Sequence, residues 1–242
     1  MPEPDYGLDA PKLVRRLATR GGLLMAFAIV LYLANRASSP GTALALAGML
    51  GFIGLGFLIV AATMVWSSRV GKLKLRDQLL NGFSWRGDET VLDVGCGRGL
   101  LVVGAAKRLK TGKATGVDTW QPEALSGNSP EAALSNARFE KVENRVKIES
   151  ADARKLPFGA SSFDIVVSSL AIHNIDSVPE RAKALRELAR VLKPGGQLAI
   201  FDILHTSEYA KALQQLGLVD VKLSGYSLLW SMPCRTVTAR KP

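Results

Sequence analysis

Two long apolar runs lie near the N-terminus of the chain. Residues 21–35 carry no charged side chain, and residues 42–66 form a second uncharged run of 25 residues. About 20 apolar residues cross the hydrocarbon core of a bilayer. The second run therefore predicts a spanning helix, whereas the first run of 15 residues is short and needs snorkelling of the flanking Arg20 and Arg36. Pro40 and Gly41 predict a turn between the runs, so the pattern indicates a helical hairpin.

Small residues and basic residues refine this prediction. Ala43, Ala47 and Gly51 recur every four residues with Gly54 close to the same face, and small side chains let two membrane helices approach closely. Four basic residues precede the first run, four follow the second, and only Arg36 lies between: Lys12, Arg15, Arg16, Arg20, then Arg69, Lys72, Lys74, Arg76. The positive-inside rule then predicts a multi-pass membrane protein with two helices and both ends in the cytoplasm.

Other interpretations of the apolar runs stay open. The first run is also compatible with a cleaved signal peptide, although small-x-small processing signals are poor around residues 33–38. A single span, a re-entrant hairpin or a buried soluble helix are the further alternatives. Twenty-five uncharged residues rich in glycine and alanine favour the membrane interpretation.

After the apolar runs, short β-rich segments alternate with helical ones. The predicted strands are Thr90–Val94, Ala114–Val117, Val146–Glu149, Phe163–Ser168, Gln197–Asp202, Val219–Ser224 and Arg235–Ala239. The predicted helices are Leu100–Leu109, Pro130–Glu140, Pro179–Leu192 and Ser207–Leu216. Such alternation predicts an α/β fold with a Rossmann-like, seven-stranded, mostly parallel sheet and helices on both faces, preceded by the transmembrane hairpin.

This pattern divides the chain into four parts. A basic N-terminal segment spans residues 1–20, the hairpin 21–66, an amphipathic connector 67–86, and an α/β domain 87–242 on the cytoplasmic side. In the connector, Val70, Leu73, Leu79 and Leu80 are expected to pack on the domain while the lysines and arginines face lipid headgroups.

The composition limits which binding partners are expected. The formal net charge of +10 suits nucleic acid or an anionic membrane surface, but much of the excess flanks the apolar runs, so membrane lipids are the expected partner and nucleic acid is not. Two cysteines and two widely separated histidines form no metal-binding pattern, and no metal is expected. Nothing in the composition fixes the oligomeric state.

The strongest chemical signal is the glycine turn at residues 91–99, VLDVGCGRG. An apolar strand leads into glycines that permit positive φ and a close approach to a ligand, and a helix follows. Dinucleotide-binding dehydrogenases need a glycine three residues after the second one, where this chain has Leu100. The carboxylate of Asp93, two residues before Gly95, suits an ammonium group better than a pyrophosphate.

Carboxylates also follow the next two predicted strands. Asp118 is placed to accept hydrogen bonds from both hydroxyls of a ribose. Trp120 either stacks on an adenine or packs under its own loop. Asp152 is placed to accept from an adenine amino group, with the backbone of Ala153 beside it; the alternative is a turn-forming aspartate. The segment Lys193-Pro194-Gly195-Gly196 predicts a structural turn.

Together these stretches resemble the class I S-adenosylmethionine (SAM)-dependent methyltransferases, in the type 11 branch that includes ubiquinone- and menaquinone-biosynthesis enzymes. The resemblance covers residues 67–242 and implies SAM as cofactor, S-adenosylhomocysteine as product, and a small-molecule acceptor. It implies that the glycines line the methionine part, that Asp93 lies near its amino group, and that Asp118 and Asp152 hold the ribose and the adenine. The full set of cofactor-binding candidates is Asp93, Gly95, Cys96, Gly97, Gly99, Asp118, Thr119, Trp120, Asp152, Ala153, Ser168 and Ser169.

Two residues after the fourth strand are the catalytic candidates. His173 is placed near the expected methyl group, and an imidazole titrates near neutral pH, so it can act as a general base; the alternative is a role in shaping its loop. Asn174 is expected to orient the acceptor. Tyr209 and His205 are weaker candidates that follow the fifth strand and are expected near solvent.

The acceptor is not named by the residues. Its recognition is expected from residues 69–85, 120–130 and 171–178, and because the first of these joins the membrane segment, a lipophilic or lipid acceptor is predicted. A soluble acceptor with the hairpin serving only as an address, a SAM-binding protein without turnover, and a nicotinamide oxidoreductase are the competing hypotheses.

Overall fold

The fold joins a helical hairpin to a seven-stranded α/β domain. A computed structural model describes residues 4–121, 125–227 and 232–242. The helices of the chain are α1 Pro11–Asn35, α2 Pro40–Trp66, α3 Lys72–Leu80, α4 Leu100–Ala106, α5 Pro130–Phe139, α6 Val178–Val191 and α7 Thr206–Gln215. The strands are β1 Thr90–Val94, β2 Lys113–Asp118, β3 Val146–Ser150, β4 Phe163–Ser169, β5 Leu192–Asp202, β6 Val219–Leu223 and β7 Arg235–Arg240.

Helices α1 and α2 form the predicted hairpin. Helix α1 has 25 residues, about 37 Å at 1.5 Å per residue, because it continues through the basic residues ahead of the apolar run. Length and composition make both helices suitable for crossing a bilayer, and only 11% of the most apolar window of either is buried within the chain. That exposure is unlike a soluble core helix, which buries its apolar residues.

The hairpin closes through small residues. Ala43 and Ala61 are buried on α2, as is Ala28 on α1, and Gly54 lies at the crossing point. A Cβ atom added to Gly54 comes within 3.0 Å of the carbonyl oxygen of Gly21. The predicted small-residue face of α2 is therefore the face that contacts α1.

The connector differs from the predicted one in its helix and in which side chains face the domain. The helix of the hairpin does not end at residue 66 but runs through a π-helical turn, Ser67–Gly71, directly into α3. Such a turn rotates the helix faces that follow it. Lys72 and Arg76, expected to face headgroups, are consequently buried at 3% and 8% exposure, whereas Val70, expected to pack on the domain, is exposed.

The sheet has the order β3-β2-β1-β4-β5-β7-β6, and β7 is antiparallel to its neighbours. The predicted Rossmann-like, mostly parallel sheet is confirmed, with apolar clusters packed on both of its faces. The strand order reverses between β1 and β4, where parallel sheets bind ligands beyond the carboxyl ends of their strands.

Element boundaries differ from the predicted ones by more than one residue in two places. Helix α4 ends at Ala106 rather than at residue 109. Residues 192–196, predicted as a turn, form the first part of β5, where Leu192 pairs with Phe163 and an irregularity in register follows. The glycines there serve as an irregular strand start, since Gly195 has φ +78°.

The glycine at the hairpin crossing gives a prediction about stability. Gly54→Leu forces the two helices apart, and such overpacking costs about 1–3 kcal/mol. Thermal unfolding of the purified chain in detergent, followed by circular dichroism, should occur several degrees lower. Gly56→Leu is the matched control, because a Cβ atom there meets nothing within 4 Å. Equal unfolding temperatures for the two variants would contradict this packing.

Candidate active site

A cavity of about 780 Å³ lies beyond the carboxyl ends of β1 and β4. It gathers most of the predicted site residues around one space. The lining includes Asp93, Gly95, Cys96, Gly97, Asp118, Thr119, Asp152, Ala153, Ser169, His173 and Asn174. Gly99, Trp120 and Ser168 are not among its lining residues.

The residues of the glycine turn line this cavity. Gly95 and Gly97 have φ of +76° and +52°, and a Cβ atom on Gly95 would lie 2.1 Å from the Cβ of Ala171. The N–H groups of Gly95 and Cys96 both donate to the carbonyl oxygen of Val117, which ties the turn to β2. Only glycine permits this backbone so close to the loop after β4.

Cys96 lies in the turn without being reactive. Its side chain is 5% exposed, and burial raises the pKa of its thiol well above the usual value. The neutral thiol packs beneath the turn, close to Gly116. Its part in the site is therefore to shape the turn rather than to supply a thiolate.

Asp93 is a buried carboxylate with an unused oxygen. Its Oδ2 accepts a hydrogen bond from the N–H of Val102 at 2.9 Å, but its buried Oδ1 has no hydrogen-bond partner. Burial, with the nearby Asp118 adding to it, raises the pKa of this carboxyl to about 8. An unpaired buried oxygen at the cavity wall is a place for a ligand cation to bind.

Asp118 ends β2 and joins two loops. Its Oδ2 accepts from the N–H of Gly97 at 2.8 Å, and its Oδ1 accepts from the N–H of Trp120 at 2.7 Å. The Trp120 indole N–H donates to Ser150, and its ring packs against the core cluster. Of that loop, residues 122–124 lie outside the described residues.

Asp152 is already engaged by a neighbour. Arg154 contacts both of its carboxylate oxygens, with Nε at 2.9 Å from each, and this pairing lowers the pKa of the Asp152 carboxyl. Arg154 also lines the cavity. This edge of the cavity therefore presents a guanidinium beside the carboxylate predicted to accept from adenine.

Two other predicted residues act within the fold. Ser168 is fully buried, and its hydroxyl donates to the carbonyl oxygen of Val94 at 2.7 Å, which pins β4 to β1. Gly99 has φ +87° and precedes α4, and a Cβ atom added there would lie 3.5 Å from Ala133 of α5. Ser169, one residue further along β4, does reach the cavity.

His173 lies at the rim of the cavity, after β4. Its imidazole Nδ1 lies 2.5 Å from Oδ1 of Asp202, the last residue of β5. Asn174 is exposed, and its amide donates to the carbonyl oxygen of Leu170. Tyr209, expected near solvent, is instead fully buried, and its hydroxyl lies 3.3 Å from Oδ2 of Asp202.

The structure adds a segment that the sequence pattern did not predict as part of the site. Residues 5–10, here called the N-terminal strap, cross the glycine-turn end of the cavity, and Tyr6 and Asp9 line it. The Nε of Arg98, in the glycine turn, donates to the carbonyl oxygen of Asp5 at 2.7 Å. Leu8 exchanges hydrogen bonds with Ser126. The strap has no apolar periodicity, and Tyr6 is the one feature of its sequence that could have indicated burial.

Lys72 holds the strap to α3. Its Nζ donates to the carbonyl oxygens of Tyr6 and Gly7 at 3.0 and 2.8 Å and lies 2.8 Å from Oδ2 of Asp9. Burial lowers the pKa of this ammonium, and Asp9 opposes that effect. The strap is thus fixed by a side chain that stands at the junction between hairpin and domain.

The cavity also reaches the base of the hairpin, close to the strap, where Ser68 bonds Asp9. Its lining there includes apolar and polar residues of both hairpin helices, the π-helical turn, α3 and the sheet edge: Leu13, Met64, Ser67, Ser68, Leu75, Ile203 and Met232. One continuous cavity therefore connects the glycine turn with the two apolar helices.

Comparisons with known proteins agree with this geometry. Residues 92–200 match a family model described as a methyltransferase domain. Methyltransferase GfsG of Streptomyces halstedii is 38% identical over 131 residues, covering 54% of this chain and 44% of that protein. Demethylmenaquinone methyltransferase of Staphylococcus aureus is 32% identical over 128 residues, covering 52% and 48%. Sterol 4-C-methyltransferase of Caenorhabditis elegans is 36% identical over 120 residues, covering 50% and 33%.

The family match lies in the α/β domain, and the chain spans between a third and a half of the length of these curated relatives. A SAM-dependent methyltransferase structure from Aquifex aeolicus shares the fold, with a TM-score of 0.56 and 21% identity over 72% of this chain and 94% of that one. The glycine turn, the strand order and the family match together lead to one conclusion: residues 92–200, behind the helical hairpin, are similar in sequence to the methyltransferase-domain family, and they lie in a fold shared with a SAM-dependent methyltransferase.

Proposed function

We propose that the chain is a membrane-anchored SAM-dependent methyltransferase that acts on a small lipophilic acceptor. The observation that carries this proposal is the continuous cavity, whose lining includes both the glycine turn, which fits SAM, and Leu13 and Met64 of the hairpin. An acceptor dissolved in the bilayer can reach such a cavity along the apolar helices. The names of two relatives, a sterol and a demethylmenaquinone methyltransferase, support an apolar acceptor.

The residues at the glycine-turn end fit the cofactor. Asp93 offers an unpaired carboxylate oxygen to the amino group of SAM, and the backbone of Gly95 and Gly97 leaves room for its methionine part. Asp118 retains carboxylate lone pairs for ribose hydroxyls, and Asp152 lies where the adenine is expected. When bound, SAM supplies an activated methyl group on a sulfonium.

The protein then has to align the acceptor with that methyl group and to exclude water. Orientation of this kind supplies many powers of ten in rate. The N-terminal strap covers the cofactor end, and the loop of residues 171–178 borders the middle of the cavity, where His173 and Asn174 are the candidate catalytic residues. We assign His173 the role of general base and Asn174 that of orienting the acceptor.

The hairpin is proposed to span the membrane, with both of its ends and the methyltransferase domain on the cytoplasmic side. The support is the exposure of both apolar helices and the position of the basic residues at their ends. Lys12, Arg15, Arg16 and Arg20 lie on the first turns of α1, and all four are exposed or partly exposed. They are placed to meet anionic headgroups.

A bulky side chain in the part of the cavity that the hairpin lines tests the proposed function. Met64→Trp fills the space beside the hairpin, so methylation of acceptors from a membrane lipid extract should fall roughly 100-fold, because displaced reactants lose orientation. The assay uses the full chain in nanodiscs with isotopically labelled SAM. SAM affinity, measured by calorimetry, should stay within about twofold, since the glycine turn is untouched.

Met49→Trp is the control, because Met49 lies on the same helix and faces outward at 56% exposure. A point variant is preferred to deletion of residues 1–66, since that deletion also removes the strap. Unchanged turnover in Met64→Trp would mean that the acceptor does not use the hairpin end, as expected for a soluble acceptor.

The buried carboxyl of Asp93 predicts proton release on SAM binding. With a pKa of about 8, Asp93 is protonated in the free protein at slightly acid pH, and a bound ammonium favours its ionised form. About one proton should be released per SAM bound at about pH 6.5, and affinity should rise up to about tenfold per pH unit toward pH 8.

Calorimetry in buffers of different ionisation enthalpy measures this release. Asp93→Asn, which cannot ionise, should bind SAM more weakly and release no proton. Proton release that persists in Asp93→Asn would assign the effect to another group.

The N-terminal strap is expected to slow the dissociation of SAM. Lys72→Met removes the ammonium that holds the carbonyl oxygens of Tyr6 and Gly7 while keeping the length of the side chain. The dissociation constant of SAM should rise about tenfold, or ~1.4 kcal/mol, mainly through faster dissociation measured by stopped flow. Lys74→Met is the control, because Lys74 is exposed on the same helix. Identical dissociation rates in the two variants would show that the strap does not retain the cofactor.

A further inference from the structure

The hairpin leaves the domain on the side where the parallel strands have their carboxyl ends. Helix α4 begins at the glycine turn on that side and runs back toward the amino ends of the strands. Helix α3 lies along it in the same direction: a Cβ atom added to Gly104 would meet the side chains of Arg76 and Leu80, and Arg108 donates to Asn81. Since α3 continues the hairpin helix, the hairpin points away from the carboxyl edge of the sheet.

The apolar run of the hairpin ends close to this edge. Trp66, the last residue of α2, is half-exposed and lies about 9 Å along the helix before Lys72, which bonds the strap at the cavity. Tryptophan is enriched at the level of lipid headgroups. Met64, inside the apolar run, lines the cavity itself. If the hairpin spans the bilayer, the headgroup layer therefore meets the carboxyl edge of the domain.

Three loops carry exposed apolar side chains at this edge. They are the loop from β4 to α6, the loop from β5 to α7, and the segment between β6 and β7. The first residue of β7 pairs with the last residue of β5, so all three lie on the same side of the sheet. The side chains, here called the edge surface, are each about half-exposed or more: Val178, Leu204, Tyr226 and Met232.

The segment between β6 and β7 lies beside the hairpin. Ser227 and Cys234 form a bridge one residue beyond the last pair of β7 with β5, so the two chain segments continue past the end of the sheet. Cys234 belongs to the same apolar cluster as Leu75 of α3. Met232 lines the cavity together with Met64 of the hairpin. The edge surface is therefore continuous with the apolar surface of the hairpin.

Tyr226 has the properties of a residue at a membrane interface. Its side chain is 73% exposed, and the guanidinium of Arg235 lies 5.0 Å from the centroid of its ring. Tyrosine combines an apolar ring with a polar hydroxyl and is enriched where membrane meets water. Asp176, two residues before Val178, is exposed at the same edge, so the surface is not uniformly basic. Apolar contact rather than charge is expected to hold it.

We propose that the edge surface rests on the headgroup layer of the bilayer, as a second membrane contact beside the hairpin. Single exposed apolar side chains are ordinary on a soluble surface, but these share the side from which the apolar hairpin leaves. The inference rests on the proposed function, because it requires the hairpin to span. The cavity then opens toward lipid, and a lipophilic acceptor enters it without crossing bulk water.

Site-directed fluorescence tests this contact in the full chain. Both native cysteines are buried, so a cysteine introduced at an exposed position takes the label. Leu204→Cys and Tyr226→Cys are labelled and placed in phosphatidylcholine nanodiscs that contain a lipid with a nitroxide on its headgroup. Loss of fluorescence is expected at both positions, and it should persist at high salt, since the lipid carries no net charge.

Leu216→Cys is the matched control. Leu216 is an exposed leucine that follows α7 at the opposite edge of the sheet, and its label should keep its fluorescence. A label at residue 204 or residue 226 that is quenched no more than the control would overturn the proposal. A label that is shielded from soluble iodide without being quenched by the lipid, as when a second copy covers the surface, would also overturn it.

A label within the hairpin separates this inference from the proposed function. Phe52 is exposed on α2, and a label on Phe52→Cys should be quenched by lipids brominated on their acyl chains. Absence of that quenching would refute the spanning hairpin and with it the membrane-anchored function. Quenching at Phe52 without quenching at Leu204 and Tyr226 would refute the edge surface alone.

Discussion

The buried ammonium of Lys72 connects the parts of this molecule. A cation at 3% exposure is unfavourable unless its hydrogen bonds are satisfied, and here the carbonyl oxygens of Tyr6 and Gly7 and the carboxylate of Asp9 surround it. Those acceptors belong to the strap, whereas Lys72 begins α3, which continues the hairpin helix. A movement at the base of the hairpin therefore reaches the strap through Lys72, and also through Ser68 of the π-helical turn, which bonds Asp9.

The π-helical turn explains why Lys72 faces inward. If residues 67–71 formed a regular α-helix, Lys72 and the apolar side chains of α3 would lie on other faces of the helix than they do. The sequence predicted that Val70, rather than Lys72, packs on the domain. The extra residue in the turn reorients α3, so that Arg76 also lies against the domain, with its side chain over Gly104 of α4. A helix irregularity of this kind depends on tertiary contacts and leaves no periodic signal in the sequence.

The sequence predicted those parts of the site that local pattern encodes. Asp93, Gly95, Gly97 and Asp118 stand at strand ends or in a turn, and the apolar strands before them fix where they lie relative to the sheet. The strap could not be predicted, because the hydrogen bonds that fix it join residues far apart in the sequence, such as Asp9 with Ser68 and Asp5 with Arg98. The partnership of His173 with Asp202 is of the same kind, since it depends on the register between β4 and β5.

The cavity brings two kinds of side chain to one space. The carboxylates of Asp93 and Asp118 line it beside the glycine turn, where they suit a cationic cofactor. Leu13 and Met64 of the hairpin line the same cavity, as does His173. Because both hairpin helices and the N-terminal strap line the same cavity as the glycine turn, the hairpin is part of the candidate site rather than an attachment to it.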